Sequence, residues 1–297
     1  MSEEVLHRLQ QGNIDLVLDF TEDIYNQGLC LLEDLCLSMV GKHLRELHMP
    51  QAVRDHAMEN FCSEVIRETS YDVSEMTDLV TKSEPVLVAD QRAAYRFILQ
   101  RVEANSGGII FLDAPGGTGK TFVLNLILAK VRLERRVALA VASSGIAATL
   151  LQGGRTAHSA FKLPLNLALS EVPVCNVLRG TGPAKVLQQC SIIIWDECTM
   201  AHRKALEALN LTLQDLRGSQ AVMGGVLLVL AGDFRQTLPV IPKSTPADEI
   251  KASLKASTLW WHVTKLSLST NMRAHLTGDV LAEDFSRQLL TIGDGKM

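Results

Sequence analysis

Apolar positions along this chain follow one pattern up to about residue 84 and another beyond it. In the first part they recur at helical spacing. Leu29, Leu32, Leu35 and Met39 form one stripe within 24–40, Gly41 stands where such a helix stops, and Pro50 closes a shorter piece. A second amphipathic stretch covers 52–69. These stripes carry no chemistry, and core packing is their default role. Ser83-Glu84-Pro85 reads as a linker, which makes 1–84 a helical amino-terminal segment. Beyond it, short runs without a polar face alternate with helical patterns. Residues 108–112, 136–144, 192–195 and 225–230 are almost wholly apolar, as strands covered on both faces are, and 263–269 reads as a last strand. Helical patterns separate them: from Gln91 through Tyr95 and Ile98, from Phe122 through Leu126 and Ala129, and over 203–217 with Leu206, Leu209, Leu213 and Leu216. Residues 163–187, with Pro164, Pro173 and Pro183, read as irregular connection. Alternating buried strands and helices predict an α/β domain with a parallel sheet flanked by helices.

Polar residues gather where the strands end. The first strand breaks into Asp113-Ala114-Pro115-Gly116-Gly117-Thr118-Gly119-Lys120-Thr121, and a helix follows at once. That is the strand–loop–helix context of a phosphate-binding loop. Gly116, Gly117 and Gly119, with Thr118, let successive N–H groups curl round an anion, and the helix N-terminus adds partial positive charge. Lys120 is the residue to reach the β- and γ-phosphates, and the Thr121 hydroxyl the one to ligate Mg²⁺. Ala114 stands where the usual pattern opens with Gly, and Ala tolerates a positive φ less well. This motif implies a nucleoside triphosphate and leaves open what is done with it.

The strand at 192–195 ends in Asp196-Glu197, two carboxylates in a costly place unless they function. Asp196 suits Mg²⁺, and Glu197 suits the polarisation of an attacking water. Gln236, just past the next strand, is placed to sense the γ-phosphate or that water. Arg273, after the last strand, fits a charge stabiliser or simply a surface arginine. Ser143-Ser144-Gly145 ends the second strand as a ligand-facing loop. A further cluster, Gly153-Gly154-Arg155-Thr156-Ala157-His158-Ser159, offers donors to phosphate or sugar and the charge of Arg155, and reads equally well as a solvated turn. Phe161 beside it is a candidate stacking face for a base. Gln91 reads from position alone as a polar residue at a helix N-terminus.

Composition narrows the setting. Of 297 residues 47% are hydrophobic and the net charge is −4, so any nucleic-acid contact must come from a local patch. Six cysteines (Cys30, Cys36, Cys62, Cys175, Cys190, Cys198) show neither CxxC pairing nor zinc spacing and mostly sit among apolar neighbours, which predicts reduced, buried thiols inside a cell. The first residues resemble neither a signal peptide nor a presequence, and no apolar run is long enough to span a bilayer, so no membrane partner is expected.

In order and spacing, DAPGGTGKTF, VASSGIAATLLQGGRTAHSAFKLP, IIIWDECTM, GGVLLVLAGDFRQTLPVI and STNMR resemble the superfamily-one, 5′-to-3′ DNA helicases of the petite-integration-frequency (Pif) family, most closely the helicase part of Helitron-type transposons. LLEDLCLSMVGKHLRELHMP resembles what precedes these blocks in transposon-derived members. The resemblance implies a RecA-like P-loop NTPase domain over 85–275 that binds ATP and Mg²⁺ and translocates on single-stranded DNA. It implies that Gln91 reads adenine, that Ser144, Thr156, His158 and Ser159 contact the strand, and that Gln236 and Arg273 couple the γ-phosphate to domain movement. It further implies a place in the nucleus, work in DNA repair, recombination or telomere maintenance, and an amino-terminal piece in which 276–297 leads towards a second RecA-like domain. Two rival readings are an ATPase of the AAA type, for which the GGRTAHS block is foreign, and a remnant that binds nucleotide or DNA without turnover.

Overall fold

The computed structural model describes residues 42–53, 63–164, 172–237, 244–272 and 280–296, with single positions or short pieces between 22 and 36, at 167, at 170 and over 239–241. Packing divides the chain into two compact units, Met1–Ser63 and Glu64–Met297. In the first, the described positions between 22 and 36 are helical, and a 3₁₀ turn at Leu44–Leu47 buries Leu44. The Asn26 side chain closes on Val53 at both ends: Nδ2 donates to Val53 O (2.6 Å) and Oδ1 accepts from Val53 N–H (2.8 Å). Leu35, Met39 and residues 54–62 of the expected stripes lie outside the described residues.

The second unit runs α1 (Ser63–Thr69), α2 (Val73–Ser83), α3 (Ala89–Glu103), β1 (Gly108–Asp113), α4 (Lys120–Leu133), β2 (Val137–Ala142), α5 (Gly145–Thr149), β3 (Arg155–Thr156), α6 (Ala157–Phe161), α7 (Gly182–Gln189), β4 (Cys190–Asp196), α8 (Arg203–Arg217), β5 (Leu227–Gly232), α9 (Pro246–Ala252), β6 (Val263–Ser267) and α10 (Val280–Gly293). The strands form one parallel six-stranded sheet in the order β3-β2-β4-β5-β1-β6. The apolar runs explain it. In β1, Ile109 and Phe111 face one core while Ile110 and Leu112 face the other, and β4 divides Ile193 and Trp195 from Ile192 and Ile194 in the same way. Residues such as Leu206 and Leu209 of α8 cover the first face, and Ile98 of α3 with Val123 and Ile127 of α4 cover the second. A strand with two buried faces needs apolar side chains at every position, so its sequence does not alternate.

Met76 and Val80 of α2 pack in the same core as α4, and the second compact unit begins at Glu64, within α1. One expectation changes. The stretch expected to be irregular ends in α7, because Pro183 occupies the first turn of that helix, where proline's missing N–H costs nothing. Cys175, Cys190 and Cys198 are buried and Cys36 half-buried, all as free thiols, and Cys30 is half-buried. Burial raises Cys175 to about 11 and Cys190 to about 12, so neither is a nucleophile at neutral pH. Among the described residues no helix is long and apolar enough to cross a membrane.

Strand register sets the working edge. Asp113 lies level with Gly232 and Ser267, and Ala142 with Asp196 and Thr156, so the C-terminal ends of the strands stop along one line. β5 separates β1 from β4, and the loop that leaves β5 therefore emerges between the phosphate-loop strand and the carboxylate strand. Open parallel sheets bind ligands along this edge.

Candidate active site

The phosphate loop is built by backbone conformations that glycine permits. Gly117 has φ +88° and Gly119, the residue before α4, has φ +76°. Ala114 is not among the residues with positive φ; it is buried and donates its N–H to Gly232 O (3.2 Å), so alanine in place of the usual glycine brings no strain. Thr118 closes the turn through its Oγ1 on Pro115 O (2.8 Å). α4 then begins at Lys120, with half-buried Thr121 in its first turn.

Lys120 is the centre of the site. Its Nζ lies 2.7 Å from Asp196 Oδ1 and 2.5 Å from Glu197 Oε1. Burial works to lower its pKa, but Asp196 and Glu197 outweigh burial and the ammonium is held above its ordinary value. Asp196 is 1% exposed, and its Oδ1 also accepts from Glu197 N–H (2.8 Å). That bond goes with a left-handed backbone at Glu197 (φ 50°), which turns the second carboxylate back towards Lys120. Such a conformation costs about 1–2 kcal/mol without glycine, and strain of this kind gathers at functional sites.

Behind the loop, Gln91 is 1% exposed and uses both ends of its amide internally. Its Nε2 donates to Thr118 O (2.9 Å) and its Oε1 accepts from Val88 N–H (3.3 Å). A Cβ on Gly119 would lie 2.6 Å from that Nε2, so the loop packs directly on the glutamine. The neighbouring Asp90 reaches the segment after β6: its Oδ2 accepts from Ser269 N–H (2.7 Å) and Thr270 N–H (2.9 Å). Met272 N–H in turn donates to Gly117 O (2.8 Å). Arg273, the next residue, lies outside the described residues.

The loop after β5 carries Gln236, exposed, with its Nε2 on Asp233 Oδ2 (3.3 Å) and 3.8 Å from where a Cβ of Gly116 would stand. Its neighbour Arg235 is an internal tie, pairing with Asp233 (2.6 Å) and with Asp113 at the end of β1 (3.0 Å).

The second polar block follows a different course. Ser144 Oγ accepts from Ala147 N–H (3.1 Å) and Thr156 Oγ1 from Ser159 N–H (3.2 Å), so both hydroxyls cap short helices. His158 and Ser159 are exposed. Arg155 is no free phosphate contact, since its Nη2 pairs at 2.7 Å with Glu68, a carboxylate only 1% exposed. Phe161 offers no stacking face: it is 0% exposed and packs its ring 5.5 Å from that of Trp195. An aromatic residue on the inner side of a one-turn helix fills the core, and its sequence neighbourhood alone does not reveal which side it takes. Sequence reasoning also missed Asp90; an acidic residue in a first helical turn is too common to signal a contact 179 residues away.

Comparison with known proteins adds a family. A family model described as PIF1-like helicase matches residues 86–297. The chain is 36% identical over 135 residues to the ATP-dependent DNA helicase Pif1 of Psychrobacter sp., covering 46% of this chain and 20% of that protein. It is 27% identical over 202 residues to the ATP-dependent DNA helicase PIF1 of Candida albicans, covering 66% of this chain and 22% of that protein. The chain thus spans about a fifth of the length of these curated relatives. The crystal structure of the Candida albicans Pif1 helicase matches with a TM-score of 0.56 at 24% identity, over 70% of this chain and 44% of that one. That of the Bacteroides Pif1 helicase in complex with ADP-AlF3 and ssDNA matches with a TM-score of 0.52 at 20% identity, over 69% of this chain and 46% of that one. At such identity the two structures speak for the RecA-like fold alone.

Proposed function

The chain belongs to the PIF1-like helicase family, and from that premise we propose that it is the ATP-hydrolysing part of a 5′-to-3′ DNA helicase whose turnover drives movement along single-stranded DNA. One observation carries this reading: Lys120, at the N-terminus of α4, is held between Asp196 and Glu197 at the C-terminal edge of the sheet. A lysine, a helix N-terminus and two carboxylates converging on one point suit the transfer of a phosphoryl group, where positioning and charge do most of the work.

In this reading the phosphates of ATP take the Lys120 ammonium from its two carboxylates. Asp196 is then free to face a cation, and Glu197 to orient and deprotonate the attacking water. Thr121 and Asp196 are oxygen donors of the kind Mg²⁺ takes, and two protein ligands leave room for phosphate oxygens and water. When bound, the ion neutralises charge that builds on the phosphates. Gln236, exposed beside Gly116, reports the γ-phosphate to the loop after β5, and Arg273 completes that relay. Gln91 sets the loop from behind and reads adenine. The relatives are named as ATP-dependent DNA helicases and one solved structure holds ssDNA, which supports single-stranded DNA as the track. Ser144, Thr156, His158 and Ser159 are its contacts; a capping hydroxyl accepts one bond and keeps its O–H to donate. The setting in this reading is the nucleus, in DNA repair, recombination or telomere maintenance.

The test is ATP hydrolysis by the purified chain with and without single-stranded DNA, beside Glu197→Gln. Turnover stimulated by DNA and at least about a hundredfold slower in Glu197→Gln is expected. Equal rates in the two proteins would remove Glu197 from the mechanism.

A further inference from the structure

At the back of the phosphate loop, three distant pieces of chain meet through hydrogen bonds: the first turn of α3, the loop itself and the 269–272 segment. β6 stops at Ser267, and Leu268 N–H still donates to Asp113 O (2.9 Å). The next two amides have no strand partner. Asp90 Oδ2 receives both, at 2.7 Å from Ser269 N and 2.9 Å from Thr270 N, and the Ser269 hydroxyl at 3.3 Å. Its other oxygen accepts Gln91 N–H (2.8 Å), within the first turn of its own helix. Asp90 is partly buried, which disfavours the charge, but the backbone donors of Thr270, Ser269 and Gln91 outweigh this and hold the carboxyl below its ordinary range. Amide bonds to a carboxylate are about twice as strong as neutral ones.

The pinned segment then reaches the loop. Met272 N–H donates to Gly117 O (2.8 Å), and Asn271 lies over Gly117 so closely that a Cβ there would be 2.9 Å from its Oδ1. Gln91 Nε2 takes the next carbonyl, Thr118 O. A trans peptide carries its C=O and N–H on opposite sides. Holding the Gly117 carbonyl therefore fixes the peptide whose Thr118 N–H closes the turn on Pro115 O (3.3 Å), and holding the Thr118 carbonyl turns the Gly119 N–H to the loop's other side, where an anion is received.

We infer that Asp90 is a positioning residue of the nucleotide site, whose carboxylate pins the 269–272 segment and through it keeps the phosphate loop in its anion-receiving form. This rests on the nucleotide-binding reading above.

The experiment pairs amide hydrogen exchange without nucleotide with ADP–Mg²⁺ titration, on the full chain and on Asp90→Ala and Asp90→Asn. In Asp90→Ala the Ser269, Thr270 and Met272 amides should exchange at least about tenfold faster and ADP should bind about tenfold more weakly, while amides of α8 keep their protection. Asp90→Asn, which keeps one acceptor oxygen, should recover part of both. Faster exchange at 269–272 with unchanged affinity would overturn the link to the loop. Unchanged exchange would overturn the pin itself. A parallel loss of protection in α8 would make the effect one of global stability and overturn positioning. A wild-type chain that binds no ADP would overturn the nucleotide-binding reading, and this inference with it, whatever the exchange result.

Discussion

The loop after β1 and the block over 153–161 are made of similar materials: glycines, hydroxyl side chains and one basic residue near the end of a strand. In the first, Lys120 meets two carboxylates from β4, and the N–H groups opening α4 lie at the same place. In the second, Arg155 is paired with buried Glu68 of α1, the Thr156 hydroxyl caps α6, and Phe161 lies in the core. Both basic side chains have acidic partners, so pairing alone does not separate the regions. Convergence does. Around Lys120, the start of α4 and the two carboxylates that close β4 meet at one spot on the sheet edge. Around Arg155, the guanidinium, the Thr156 hydroxyl and the Phe161 ring each serve a different internal contact, and His158 and Ser159 stay exposed. Residue type at a strand end names candidates, and the direction of the side chain decides between them.

That contrast can be broken at its weakest assumptions. The largest effect should come from Phe161→Ala, about 3–5 kcal/mol of stability in urea unfolding, because the ring fills core beside Trp195. A loss below about 1 kcal/mol would return Phe161 to the list of base-stacking candidates. Glu68→Ala should cost about 3 kcal/mol by leaving Arg155 without its partner, and replacing both residues by leucine should recover most of that. Two independent, additive losses would contradict an internal pair. Arg235→Ala should cost about 1 kcal/mol, less at high salt, since the arginine is partly exposed between Asp113 and Asp233. His158→Ala should stay within about 0.5 kcal/mol in stability, so any fall in DNA-stimulated turnover would report contact with the strand.

Asp90 gives a pH signature with a definite sign. A carboxyl lowered in the folded chain adds stability above its ordinary value near 3.9 and loses it as pH falls through the lowered one. The difference in stability between wild type and Asp90→Ala should therefore be constant at neutral pH and shrink only below about pH 4.

Much of this was legible in the sequence, for a physical reason. β1, β2, β4 and β5 are buried on both faces, so their runs lack polar interruption and stand out, and carboxylates closing such a run are conspicuous. Asp196 and Glu197 could be named from that, and Lys120 from the Gly-rich loop that breaks the first run. β3 has two residues and α5 and α6 five each, too short for any periodicity. α7 hid behind its opening proline. Asp90 acts through backbone groups of a remote segment, and a hydrogen bond between a side chain and a distant N–H leaves no trace in residue type. The same holds for Glu68, whose partner follows 87 residues later.

The convergence on Lys120 is tested most directly by calorimetric titration of ATP–Mg²⁺ into the wild-type chain and Lys120→Ala, with circular dichroism to verify that both are folded. Saturable binding to the wild type, weakened at least about a hundredfold by the substitution, is the predicted result. Equal affinity in two folded proteins would contradict it and move the nucleotide away from the end of β1.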